Sequence, residues 1–174
     1  QAPESRPSLV VSVMGPDRPG TVSLLADRAQ RMGANWKHSY MSNLAGEFAG
    51  IVELDVAPEG LDALAQTLQS LESSGLRVAV ARGSGSAPLA SRSASIELSG
   101  EDRVGLLHEL TSALAERGVG IDQLSTDIEP GPADSSRRFR VRARLQVPES
   151  VPLESLHQAL DALASRLKVD IDLG

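Results

Sequence analysis

The chain has 174 residues, 41% of them hydrophobic and 23% charged, with a net charge of −6 and no cysteine. That balance belongs to a folded globular protein, and it excludes disulfides, thiolate metal sites and thiol catalysis. An acidic chain with 2% aromatic residues also lacks the basic surface and stacking platforms that nucleic acids need, so no direct nucleic-acid contact is expected.

Leu9–Met14 is an apolar run stopped by Gly15-Pro16, which predicts a buried strand. Helical spacing follows from Pro19 to Met32. Val22, Leu25, Ala26 and Ala29 share a face, Pro19 suits the first turn, and Gly33 marks the stop. A second strand is predicted over Asn35–Asn43, where Trp36 and Tyr40 stand four apart and so share a face. From Glu47 the pattern alternates. Phe48, Val52, Leu54 and Val56 face one way, and Glu47, Glu53 and Asp55 the other. Pro58-Glu59-Gly60 breaks it. A helix then carries Leu61, Leu64, Ala65, Leu68 and Leu71 on one side, Gly75 ends it, and Leu76–Val80 is a last strand.

Gly83–Pro88 has the composition of a flexible linker. Beyond it the order repeats. Strands are predicted at Ser95–Ser99, Gly120–Glu129, Arg137–Val147 and Lys168–Asp172, and helices at Val104–Arg117 and Pro152–Leu167. Gly15/Gly100, Asp17/Asp102, Arg18/Arg103, Gly20/Gly105, Leu25/Leu110 and Gly33/Gly118 all stand 85 apart. A longer hairpin at Pro130–Ser136 then changes the offset to 91. The chain therefore reads as one module written twice, over 8–82 and 93–173, with 83–92 as linker. Each copy has the order β-α-β-β-α-β. That is an α+β fold: a four-stranded antiparallel sheet with both helices on one face, the ferredoxin-like arrangement. The apolar runs are strand-sized, so no membrane span is expected. The start, Gln1–Pro7, lacks the apolar core of a signal peptide, which leaves the cytoplasm as the expected location.

The loop Gly15–Gly20 leads from a central strand into a helix N-terminus. Unpaired N–H groups and the positive end of the helix dipole gather there, which suits a carboxylate. Gly15 and Gly20 would let a ligand approach the backbone, and Asp17 would accept from an ammonium group. The plainer reading is a tight turn with Asp17 as N-cap and Arg18 in solvent. Both stay open, and both apply to Gly100–Gly105.

Asp17-Arg18-Pro19-Gly20 before an apolar helix, then Gly33-Ala34-Asn35 at the next strand, resembles the ACT domain. The resemblance covers both copies. It implies the fold given above and the binding of amino acids or other small ligands to regulate metabolism. A pair of such modules, with Met14-Gly-Pro-Asp-Arg-Pro-Gly20 in the first, is similar to the glycine cleavage system transcriptional repressor family. The ligand residues it implies are Asp17, Arg18, Pro19, Gly20 and Asn35 in the first copy, and Asp102, Arg103 and Gly105 in the second. In the second copy Val104 replaces the proline and Gly120 stands at the asparagine position, with Asp122 two residues on, so one competent and one degenerate site are expected.

The implied function is regulatory and not enzymatic: an amino-acid sensor, for a ligand such as glycine, acting by protein–protein contact as a homodimer. Without a helix-turn-helix, repression of transcription would need a DNA-binding partner. The alternative is the regulatory ACT region of an enzyme of amino-acid or one-carbon metabolism.

Arg138, Arg140, Arg142 and Arg144 alternate along one strand and must project together. The matching first-copy face is Glu47, Ala49, Ile51 and Glu53. The arginines could pair locally with Asp127 and Glu129, or form a partner surface by charge complementarity. His38, His108 and His157 have no metal-ligand spacing, and no nucleophile–base pattern is visible, so no metal, cofactor or catalytic residue is expected.

Overall fold

The computed structural model describes residues 7–83, 90–130 and 137–174. Linker positions 84–89 and hairpin positions 131–136 lie outside the described residues. The chain divides into two compact units, Gln1–Ser86 and Ala87–Gly174.

The first unit runs β1 (Ser8–Pro16), α1 (Thr21–Arg31), β2 (Asn35–Leu44), β3 (Glu47–Asp55), α2 (Leu61–Gln69) and β4 (Arg77–Arg82). A 3-10 turn precedes α2 at Pro58–Gly60 and another follows it at Ser70–Ser74. Its sheet has the order β2-β3-β1-β4, and every pair is antiparallel. The second unit runs β5 (Ser91–Glu101), α3 (Leu106–Glu116), β6 (Gly120–Glu129), β7 (Arg138–Pro148), α4 (Leu153–Leu167) and β8 (Asp170–Leu173), with the order β6-β7-β5-β8. Both are the ferredoxin-like α+β module that the element order requires.

Alternation explains why the helices cover one face only. Leu9, Val11 and Val13 of β1 point the same way as Val52 and Leu54 of β3, and all are buried against Leu25, Leu64 and Leu68 of the helices. The second core repeats this with Ile96, Leu98, Val141 and Leu145 under Leu110, Leu114, Leu156 and Leu160. With almost no aromatics, the cores are built from Leu and Val. Each fully buried side chain of this kind contributes roughly 1.5–3 kcal/mol.

Several local expectations shift. Gly20 and Gly105 cap α1 and α3 in the left-handed region, at φ 91° and 89°, where L side chains are strained. Both helices therefore begin after their glycine, and Pro19 and Val104 stay in the loop. Val22 is 44% exposed and Ala26 is also exposed, so the buried residues of α1 are only Leu25 and Ala29. Strand β8 starts at Asp170 because Lys168 takes the left-handed conformation at the end of α4.

Strand β2 is bulged. Trp36 pairs with Leu54 and His38 with Glu53, so Lys37 is skipped. The skip reverses the phase. Trp36 shares the inner face of Leu54, while Tyr40, opposite Ile51, lies on the outer face. The two aromatics therefore do not share a face.

Candidate functional site

Around the first loop, β1 ends at Pro16 beside the β2–β3 turn, and the Asp17 N–H donates to the Gly46 carbonyl at 3.0 Å. The Asp17 carboxylate does not cap α1. It accepts instead from Asn43 Nδ2 at 2.9 Å, across 26 residues of sequence. The first backbone bond of α1 runs from Leu24 N–H to Gly20 O at 2.9 Å. Thr21, Val22 and Ser23 N–H thus have no acceptor within the helix, no side chain caps it, and no acid lies in its first turn.

The Arg18 guanidinium has no hydrogen-bond or ion-pair partner among the described residues, while the Arg18 carbonyl accepts from Thr21 Oγ1 at 3.1 Å. Arg18 borders two depressions. One, of about 160 Å³, lies between the loop and Gly75-Leu76. The other, of about 440 Å³, is bounded by Asp17, Arg18, the first turn of α1 and Ser42-Asn43 of β2. Chemically, this second hollow offers three free N–H groups and a guanidinium for a carboxylate. It also offers a carboxylate, held in place by Asn43, for an ammonium.

The structure brings Asp17, Arg18, Pro19 and Gly20 together but leaves Asn35 apart. Asn35 pairs with Asp55, which pairs with Ser8, whereas the loop lies by Pro16 and Glu47 at the other end of β3. Eight residue steps along β3 separate the two ends, roughly 26 Å at ~3.3 Å per residue. The polar β2 residue at the loop is Asn43, which the sequence reading missed. A side-chain amide near the end of a predicted hairpin was the only signal. Gly15 gives no approach to a ligand either: a Cβ there would lie 2.8 Å from Leu76 Cδ2 and 3.1 Å from Gly75 O.

The second loop keeps the backbone anchor, with Asp102 N–H donating to Arg137 O at 2.8 Å. Its charges are arranged differently. Arg103 Nη2 donates to Leu167 O at the end of α4 at 2.7 Å, a favourable place for a cation. Ile128 stands where the first copy has Asn43, since each lies opposite the matching Phe48 or Phe139. Glu109 lies in the first turn of α3, at the position of Leu24, and bonds Arg166 at 3.1 Å. The hollow here, about 230 Å³, is bordered by an engaged arginine and an acid. It therefore suits a carboxylate poorly.

The arginine ladder of β7 is paired locally. Arg140 contacts Glu97 of β5 at 3.4 Å and Glu129 of β6 at 3.1 Å. Arg138 contacts Asp170 of β8 at 4.0 Å, and Arg144 bonds Gln123 Oε1 at 3.1 Å. The sequence anticipated Glu129 as a partner. Glu97 and Asp170 come from strands that only the sheet order brings alongside.

No helix of the described residues is long and apolar enough to cross a membrane. A family model of the ACT domain matches residues 8–80. An unknown protein from Galdieria sulphuraria, solved by crystallography, is 30% identical at a TM-score of 0.84, covering 97% of this chain and 98% of that one. The crystal structure of a candidate glycine cleavage system transcriptional repressor is 23% identical at a TM-score of 0.74, covering 98% of each chain. At that identity it shows the shared fold. No curated protein matches the sequence. The family match, the near full-length relative and the repeated ferredoxin-like unit lead to one assignment: the chain belongs to the ACT-domain family.

Proposed function

We propose that this protein is a non-enzymatic regulator that senses a small amino acid at the first loop and passes the signal by protein contact. The observation that carries the reading is the difference between the loops. In the first, the Arg18 guanidinium and the α1 N-terminal N–H groups are unengaged among the described residues, and Asp17 is oriented by Asn43. In the second, the matching arginine is bound to a carbonyl and an acid occupies the first turn. The ligand carboxylate would sit on the free amides of Thr21–Ser23 and on Arg18, and its ammonium on Asp17. Pro19 and Gly20 hold the turn. Asp102, Arg103 and Gly105 form the degenerate copy.

Likeness in fold to a candidate glycine cleavage system transcriptional repressor supports glycine as the first ligand to try, and cytoplasmic control of gene expression through a DNA-binding partner as the output. Asn35 can act at a loop only if another copy brings it there, which is the role this reading gives to a homodimer.

Calorimetric titration of the full chain against the common amino acids tests the sensor. A saturable signal from a small amino acid is expected, and Arg18→Ala or Asp17→Asn should weaken it by about tenfold or more, a loss of about 1.4 kcal/mol or more. Arg103→Ala should leave it unchanged. A folded protein that binds none of them would end this reading.

A further inference from the structure

A second hollow in the second unit lies not at its loop but on the outer face of its sheet, away from the helices. It measures about 490 Å³, within the span of ~300–1,000 Å³ usual for small-ligand sites. Its shape follows from the pairing. Arg144 lies opposite Ser95, and Ser95 exchanges two backbone bonds with Gly174, at 2.8 and 2.9 Å. Small residues therefore form the floor where neighbouring rows carry long side chains.

The next row supplies the charge pattern. Arg142 of β7 lies opposite Glu97 of β5, and Glu97 opposite Asp172 of β8. Read across the sheet, the row is positive, negative, negative. Glu97 has its cations, with Arg140 at 3.4 Å and Arg142 at 3.7 Å. The Asp172 carboxylate forms no hydrogen bond or ion pair among the described residues, although it stands beside a second carboxylate. Like charges directly opposite on neighbouring strands repel, so a cation placed there is favoured.

We propose that this groove is a second ligand site, selective for basic amino acids of the lysine class. Such a molecule carries the complementary order. Its α-carboxylate meets Arg142 and Arg144, its α-ammonium meets Glu97, and its terminal cation reaches Asp172. The row spans two strand spacings, about 9.5 Å, which an extended lysine bridges once the protein side chains lean towards it. Gln123, already bonded to Arg144, holds that guanidinium over the floor. The site is independent of the sensor loop, so the failure of either proposal leaves the other standing.

Calorimetry of the full chain with L-lysine, paired with amide shift mapping by NMR, decides the matter. Saturable binding is expected, with shifts on β5, β7 and β8. Norleucine, which keeps the backbone charges and loses only the terminal cation, should bind about tenfold more weakly, and so should lysine to Asp172→Asn or Arg142→Ala. Absence of saturable binding, equal affinity for norleucine, or shifts confined to Thr21–Ser23 would each overturn the assignment. Both substituted positions are on the solvent face, outside the core, and matching far-ultraviolet spectra show that the variants are folded.

Discussion

At the scale of single residues, the most instructive positions are Gly15 and Gly100. They are identical in the two copies and flank the candidate loops, which invites a ligand-binding explanation. The structure gives a packing one. A Cβ at Gly15 would meet Leu76 Cδ2 at 2.8 Å and the Gly75 carbonyl at 3.1 Å, and one at Gly100 would meet Val169 Cγ1 at 2.5 Å. Each glycine lets the end of the central strand lie against the segment that follows the second helix. Gly15→Ala should therefore cost about 1–3 kcal/mol, as overpacking does, and lower the urea midpoint without changing the slope. An unchanged midpoint would show that Leu76 moves aside freely. Arg18 and Arg103 teach the complementary lesson. They too match in sequence, yet only Arg103 has found a carbonyl, at 2.7 Å from Leu167 O. Identity between repeats marks what the fold shares. The partners of each residue decide which copy is open to a ligand.

At the scale of elements, the strands and helices were legible because their cores are almost wholly aliphatic and their periods clean. Leu9, Val11 and Val13 against Val52 and Leu54 is a pattern visible without a partner strand. The bulge at Lys37 was not legible, since it is defined by pairing with Leu54 and Glu53, and without it Trp36 and Tyr40 fall on one face. Nor was the Asn43–Asp17 bond, which depends on the register of a hairpin and spans 26 residues. The arginine ladder was visible as a stripe, but Glu97 lies alongside only because β5 is inserted between β7 and β8. Element ends were blurred for a further reason. Lys168 sits in the left-handed region at φ 55°, ψ 48°, where a glycine usually closes a helix. A non-glycine residue there is strained by roughly 1–2 kcal/mol, partly offset by the chain entropy that glycine loses on folding. Lys168→Gly should accordingly raise stability by about 0.5–1 kcal/mol, measured as a higher denaturation midpoint. A lower midpoint would mean that the lysine side chain contributes more than its backbone costs.

At the scale of the whole molecule, duplication has produced two cores of the same design carrying unlike surfaces. Each unit has its own buried cluster, so a ligand that binds one unit stabilises that unit against cooperative opening and need not protect the other. This gives the unequal loops a readout that does not depend on knowing the partner. A ligand at a hundredfold excess over its dissociation constant adds about 2.7 kcal/mol to the state that binds it. With an amino acid bound at the first loop, amide exchange should slow in α1 and at the Ser42–Leu44 end of β2, where the N-terminal N–H groups and Asn43 converge. Exchange in α3 and β6 should stay at its free rate. Lysine in the outer-face groove should do the reverse, slowing β5, β7 and β8 and leaving α1 untouched. Equal slowing of both loops by one amino acid would mean that Arg103 leaves the Leu167 carbonyl readily and that Glu109 does not repel the ligand. The two copies would then be equivalent sites in spite of their sequence differences.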